Sequence, residues 1–424
     1  MSPLRFAFQC AMLVGSFLLA ACIACPASAA SPNIVMIVGD DMAWTDYGFM
    51  GHKIVQTPNL DRLARDGTVF TRGYVPFSLC RPSLLSMLTG LYPHQHKISG
   101  NDPPAGTDRS AMLKHIDRVP TLPRLLAQGG YASFQSGKWW EGSFERGGFT
   151  HGMTHGDPQR GGRHGDVGLK IGREGLQPIF DFLDQRGDQR FFIWYAPMLP
   201  HTPHNPPERL LAKYKDKVDS PTVARYYAMC EWFDETCGQL LDRLDEKGLR
   251  DNTLVVYLAD NGWIQDPHGN LFAPKSKRSP YDGGVRTPIV LRWPAQLKPK
   301  RDETSLVSSI DLAPTILAAC GRERTSEMLG KNLLDVAAGR TPPHETVFGA
   351  TFEHNEADID NPAASLLTRW CVNGEWKLIF PKSGNGAELY NVVADPLESK
   401  DLAAQQADRV RQLNQKLGDW WTPR

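Results

Sequence analysis

The chain has 424 residues, with 47 Lys and Arg against 47 Asp and Glu, 41% hydrophobic and 22% charged side chains. That balance suits a globular protein with a large core and argues against a disordered chain, collagen or a repeat solenoid. A formal net charge of zero argues against nucleic acid as a partner, since phosphate recognition needs a domain-scale excess of Lys and Arg; an anionic ligand must be met by a local site.

In chain order the first element is a leader. Arg5 precedes an apolar run over residues 11–24, and Ala27-Ser28-Ala29 offers the small residues that a signal peptidase needs. The run is short for a membrane span and has no stop-transfer flank, so residues 1–30 read as a signal peptide and the protein as exported, periplasmic or secreted, with no transmembrane segment. Leu19-Ala20-Ala21-Cys22 also has the form of a bacterial lipoprotein box, which would leave a lipid anchor on Cys22. Of eight cysteines, cleavage after Ala29 leaves Cys80, Cys230, Cys237, Cys320 and Cys371, an odd number that leaves at least one thiol unpaired or chemically altered. Cys230 and Cys237 share one helical stretch and are separated by about 10 Å of rise, too far for a bridge. No disulfide framework is expected.

Four apolar runs share one layout, in which the run stops and polar, reactive residues follow at once. Residues 33–38 lead into Gly39-Asp40-Asp41, 131–136 into Gly137-Lys138, 191–196 into Pro197-Met198-Leu199-Pro200-His201, and 253–258 into Ala259-Asp260-Asn261-Gly262. Runs without strict alternation predict strands buried on both faces, as in a parallel sheet covered by helices, and ligands gather at the carboxyl ends of such strands. Helical patterns at 59–66, 120–128, 176–185, 223–245 and 314–319 supply the crossovers, and the Gly/His-rich stretch 142–168 reads as a long loop near the site. Beyond about residue 340 the texture changes to short strands at 369–372, 376–380 and 388–390, then a closing helix at 402–417. The fold class is α/β, a doubly wound, mostly parallel sheet over residues 31–340 with a smaller C-terminal α+β subdomain over 341–424.

Asp40-Asp41 alone would cap a turn, and Asp260-Asn261-Gly262 alone would form one. Together, three carboxylates and an amide oxygen at strand ends make a hard, oxygen-rich pocket of the kind that holds Ca²⁺ or Mg²⁺. His201 and His204 sit in a proline-rich segment that excludes a regular helix; His201 follows a core strand directly, and His204 is a candidate substrate contact or an incidental loop histidine. Lys138 and Lys277 would each pass for solvated lysines on their own. Pro82 suits a helix start, which sets Cys80 at an N-terminal edge that favours anions, either as a nucleophile or as a small buried hydrophobe.

Cys80-x-Pro82-Ser83 followed by Leu88-Thr89-Gly90 resembles the signature of the sulfatase family, within the alkaline phosphatase superfamily, and blocks at Asp40-Asp41, Thr57-Pro58-Asn59, Gly137-Lys138-Trp139, His201-Thr202-Pro203, Asp260-Asn261-Gly262, Asp282-Gly283-Gly284, Asp311-Leu312-Ala313-Pro314-Thr315 and Glu388-Leu389-Tyr390-Asn391 follow in family order. The resemblance implies an alkaline-phosphatase-like fold and hydrolysis of an O-sulfate ester, with a carbohydrate as the expected carrier. It implies that a formylglycine-generating enzyme oxidises Cys80, that Asp40, Asp41, Asp260 and Asn261 bind a divalent cation, usually Ca²⁺, and that Lys138, His201 and Lys277 hold sulfate oxygens or assist the leaving group. Hydrated formylglycine suits this work, because one hydroxyl attacks sulfur and the second lets the aldehyde re-form and expel sulfate.

Two positions depart from the pattern: Leu84 stands where the family has arginine, and Trp140 where it has histidine. Arg81 is a substitute for the first only if it turns back toward Cys80, against the 100° step of a helix; His151, His155 and His164 are the loop histidines available for the second. These departures keep two further readings open, a phosphatase or phosphonate monoester hydrolase on the same fold, and a sulfated-glycan-binding protein that has lost catalysis. Trp139, Trp140 and Trp263 beside the motifs would suit sugar stacking or core packing.

Overall fold

The computed structural model describes residues 31–156 and 162–423; the leader and Cys22 lie outside them. The strands are β1 (Asn33–Gly39), β2 (Thr68–Phe70), β3 (Gly73–Tyr74), β4 (Ala132–Gly137), β5 (His151–Gly152), β6 (Phe191–Ala196) and β7 (Thr253–Ala259), then β8 (Ile289–Arg292), β9 (Lys300–Asp302), β10 (Val307–Ser308), β11 (Thr346–Phe352), β12 (Leu366–Asn373), β13 (Trp376–Pro381) and β14 (Glu388–Asn391). The main sheet has the order β5-β4-β6-β1-β7-β8-β2-β9. Its centre, β4-β6-β1-β7, is parallel; β8 runs antiparallel to β7 and β2.

The residues of these strands explain why the sheet is doubly wound. Ile34, Met36 and Val38 of β1 face one hydrophobic core, together with Phe192 and Trp194 of β6 and Leu254, Val256 and Leu258 of β7. Their neighbours Val35, Ile37, Ile193, Tyr195, Val255 and Tyr257 face a second core on the other side. The period of two along each strand thus feeds two apolar layers, and the buried polar residues of β4, Ser133, Gln135 and Ser136, are hydrogen-bonded. Helix α1 (Pro58–Arg65) and the long helix Pro221–Glu246 cover the second face with Leu60, Leu63, Met229, Phe233 and Leu240. Helix α2 (Cys80–Thr89) and helix Leu312–Ala319 cover the first with Leu84, Leu88, Ile316 and Leu317.

The second, four-stranded sheet has the order β11-β12-β13-β14 and is antiparallel throughout. Helix Ala407–Trp420 lays Leu413 and Leu417 on it, against Cys371, Leu378 and Leu389. From Ser31 onward the chain is one compact unit. The four-stranded sheet shares the first hydrophobic core with the main sheet through Val347, Trp370, Val372 and Ile379, beside a buried ionic cluster in which Lys377 Nζ lies 2.8 Å from Asp282 Oδ1 and 3.0 Å from Glu398 Oε1. The five cysteines of the described chain are all free and buried, and no helix among the described residues is long and apolar enough to cross a membrane.

Candidate active site

The four strand ends that the sequence singled out meet at the carboxyl edge of the parallel sheet. Asp40 and Asp41 follow β1, Lys138 follows β4, His201 lies five residues beyond β6, and Asp260 and Asn261 follow β7. The backbone aims them. Asp260 N–H donates to Gly39 O at 2.8 Å, Lys138 N–H to Ala196 O at 2.7 Å, and Asp41 N–H to the Asp260 carboxylate at 3.1 Å. Gly137 has φ +81, and a Cβ there would stand 1.8 Å from Ala196 O, so only glycine lets β4 turn Lys138 inward.

Charge pairing then binds the ends together. Lys138 Nζ donates to Asp40 Oδ1 at 2.6 Å, and Lys277 Nζ donates to both Asp41 oxygens at 2.6 and 2.7 Å and to Cys80 Sγ at 3.3 Å. Lys277, drawn from a basic run that looked solvated, is buried. Asn261 Nδ2 donates to Asp41 Oδ1 at 2.7 Å, and His201 Nε2 stands 3.4 Å from Asp41 Oδ2. Cys80 begins α2, as Pro82 predicted, and the Ser83 hydroxyl fixes the helix by donating to Asp260 O at 2.5 Å.

Burial raises the proton affinity of Asp40 to about 6, against the pull of Lys138, and that of Asp260 to about 7. Asp41 is buried as well, but Lys277 and His201 outweigh that burial and hold its carboxyl below the usual range. Burial pushes the Cys80 thiol up to about 11 and the His201 imidazole down to about 3. As an unmodified cysteine, residue 80 is therefore a neutral thiol near pH 7 and a poor nucleophile. His201 Nδ1 is 2.6 Å from Thr202 O, a contact in which the carbonyl accepts, so the proton of the neutral ring sits on Nδ1 and Nε2 faces the site.

Three buried oxygens in this cluster have no hydrogen-bond partner: Asp40 Oδ2, Asp260 Oδ2 and Asn261 Oδ1. Orphaned buried acceptors are costly unless something positive meets them. Ligand atoms of Asp40, Asp41, Cys80 and His201 also lie within 4.8 Å of one another. A hard donor set of carboxylate and amide oxygens fits a Ca²⁺- or Mg²⁺-like cation.

Beside the cluster opens a cleft of about 220 Å³, lined by Cys80, His201 and Lys277 together with Arg163, His164, Leu271, Phe272 and the almost wholly buried Trp140 and Trp263. Of the three loop histidines, His164 is the one in the cleft, its ring 4.4 Å from that of Trp140. His155 packs on Phe144 and His151 on Phe182. Gly165, at φ +118, lets this loop lie on β4, since a Cβ there would be 3.0 Å from Gly137 O. Trp139 turns into the core against Phe149, and His204 packs on Tyr226 and Trp263 outside the cleft lining. Leu84 lies in the hydrophobic core. Arg81 does not replace the missing arginine: fully buried, it forks onto Glu141 at 2.6 and 2.8 Å and donates to Gly100 O and Met112 O. Sequence reasoning did not find Glu141, Asn101, Phe272 or His354, which no motif marks; Arg278 had only its place in the basic run to signal it.

A doubly wound sheet with an acid-and-lysine cluster at its carboxyl edge is an alkaline-phosphatase-like α/β architecture. Residues 32–321 match the Sulfatase family and residues 272–421 the family described as N-sulphoglucosamine sulphohydrolase, C-terminal. The chain belongs to the sulfatase family, and through it to the sulfuric ester hydrolases. Among curated relatives it is 23% identical to an N-acetylgalactosamine-6-O-sulfatase of Bacteroides thetaiotaomicron, over 91% of this chain and 92% of that one. It is 28% identical to the human N-acetylgalactosamine-6-sulfatase over 72% of this chain, but spans only 65% of that protein's length. A solved protein in complex with its substrate D-glucosamine-2-N,6-O-disulfate shares the fold at a TM-score of 0.72 and 21% identity, covering 92% of this chain and 97% of that one.

Proposed function

We propose that this chain hydrolyses an O-sulfate ester carried on a carbohydrate, with Cys80 as the precursor of a formylglycine nucleophile. The observation that carries the reading is the pairing of Lys277 with both Asp41 and Cys80 beside three orphaned acceptor oxygens. In this reading Asp40, Asp41, Asp260 and Asn261 hold one divalent cation, Ca²⁺ in the first instance, which when bound would polarise the sulfate and acidify the attacking hydroxyl. Formylglycine, made by a formylglycine-generating enzyme, would supply the hydroxyl pair that a neutral buried thiol cannot.

The chain's own residues do the rest. Lys138 and Lys277, held at the base of the cleft beside Asp40 and Asp41, would offer ammonium groups to the sulfate oxygens. His201 presents Nε2, and an anionic ester beside it raises its affinity for a proton, which it can then pass to the leaving oxygen. Trp140 and Trp263 border the cleft but are almost wholly buried in the two hydrophobic cores, so they shape it from behind. All the proposed catalytic and metal-binding residues fall within residues 31–340, and we take 341–424 as a supporting subdomain. Export through residues 1–30, with Cys22 as an alternative lipid anchor, would bring the enzyme to its glycan.

The test is mass spectrometry of the Cys80 peptide from a host that carries the modifying enzyme, followed by turnover of matched sulfate and phosphate esters. An aldehyde at position 80 and a preference for sulfate are expected. A preference for phosphate would move the activity to phosphorus, and an unmodified thiol with metal-dependent glycan binding but no turnover would make the chain a binding protein, the reading that Leu84 and Trp140 favour.

A further inference from the structure

On that reading of the cleft, we propose that Arg278 is a specificity residue that recognises a second acidic group on the substrate, a sulfate or carboxylate close to the ester being cleaved. The case begins with charge. At the base of the cleft the carboxylates of Asp40, Asp41 and Asp260 face the ammonium groups of Lys138 and Lys277, one negative charge in excess. A divalent cation on those acids turns the balance to one positive charge, and a sulfate monoester carries one negative charge at neutral pH. The ester under attack is thereby matched in full, and any further fixed cation in the cleft is surplus to it.

Arg278 is that surplus cation. It lines the cleft with Cys80 and is exposed, and among the described residues no carboxylate or carbonyl holds its guanidinium. Arg163, the other arginine of the lining, is held by Asp102 Oδ2 at 2.9 Å, an acid it shares with Arg109, whereas Arg278 has no such partner among the described residues. No Asp or Glu belongs to the cleft lining beside Arg278.

The backbone holds this position in place. Arg278 has φ +63, a left-handed conformation that costs a non-glycine residue energy and persists only where its surroundings enforce it. The enforcement is visible: Arg278 N–H donates to Ser78 O at 2.9 Å and to Ser78 Oγ at 3.0 Å, two residues before Cys80. Arg278 is thus registered against the nucleophile's own segment, and it follows Lys277 directly. A guanidinium offers a planar fork suited to sulfate or carboxylate, and Arg278 and Cys80 belong to the lining of one cleft of about 220 Å³.

The experiment compares kcat/KM for a monosulfated sugar, the same sugar with a second sulfate on a neighbouring position, and the same sulfated sugar linked to a uronate. The metal-loaded, aldehyde-bearing enzyme is expected to favour one or both doubly acidic substrates about tenfold, chiefly through KM. Arg278→Gln should bring that ratio close to one, and Arg278→Lys should keep part of it; which arm responds identifies the second group as sulfate or carboxylate. A wild-type ratio near one, or a ratio unchanged in Arg278→Gln, overturns the proposal. If no ester is turned over, the catalytic reading has failed, and calorimetric binding of the same three sugars to wild type and Arg278→Gln decides the Arg278 assignment by the same ratios.

Discussion

Asp40 and Asp260 have proton affinities raised to about 6 and about 7 because they are buried, and this has two consequences with opposite signs. In metal-free protein the folded chain keeps protons that the unfolded chain releases near pH 4, so these residues favour folding below about pH 4 and lose that contribution as pH rises through 6 to 7. A cation competes with the same protons, so its affinity should rise over pH 5 to 8, with proton release measurable by calorimetry in buffers of different ionisation enthalpy. Ca²⁺ at about 100 times its dissociation constant should add about 2.7 kcal/mol to stability at pH 7.5, and a chelator should reverse it. A pH-independent affinity would remove these two carboxylates from the cation's ligands. At this scale the sequence was legible where reactive residues follow apolar runs, as at Asp40, Lys138, His201 and Asp260. It was not legible where partners come from afar: Lys277 meets Asp41 across 236 positions, and Arg81 meets Glu141 across 60. Helical geometry did indicate that Arg81 points away from Cys80; what it could not show was the buried acid waiting there.

Elements were read well where burial on both faces leaves an unbroken apolar run. The strand expected at 191–196 is Phe191–Ala196, and those expected at 33–38 and 253–258 each run one residue further. The strands β2 and β8 were missed because two or three apolar residues in a row carry no period, β9 because Lys300-Arg301-Asp302 has no apolar residue at all, and the stretch 142–168 holds short 3₁₀ turns and β5 in addition to loop. Two elements depend on a single residue each. Helix α1 has no side-chain cap of its own; instead Asp234, in helix Pro221–Glu246, accepts from Asn59 N–H at 3.1 Å and Leu60 N–H at 2.7 Å. Asp234→Ala should cost about 1–2 kcal/mol in urea unfolding, while an effect near zero would mean that α1 is held by its apolar face alone. Gly137→Ala, with its Cβ driven into the Ala196 carbonyl, should lower kcat/KM at least about tenfold by displacing Lys138, since small misplacements of a catalytic group are expensive. Unchanged kinetics would show that the strand end can shift without moving the lysine.

In the whole molecule, the two sheets share an apolar core, and a buried ionic cluster lies beside it. Lys377, Asp282 and Glu398 are fully buried or nearly so, and burial lifts Glu398 to about 7 despite Lys377 beside it. Lys377→Ala would strand two acids in the interior and should cost about 3–5 kcal/mol, whereas Lys377→Met, which keeps the volume, should cost the same or more if charge is what matters and clearly less if packing is. Equilibrium unfolding separates the two. The sequence showed the change of texture near residue 340 but not this cluster, because its members are 95 and 116 positions apart. The same region carries one more tie: Lys275 Nζ donates to the backbone carbonyl of Glu398, so the segment that delivers Lys277 and Arg278 to the cleft is anchored by residues made more than a hundred positions later. A ribosome that has released only the first two-thirds of this chain has made every proposed catalytic group and has not yet locked the last of them in place. A chain cut short before Glu398 would therefore keep every proposed catalytic group and lose the tie that braces the segment carrying Lys277.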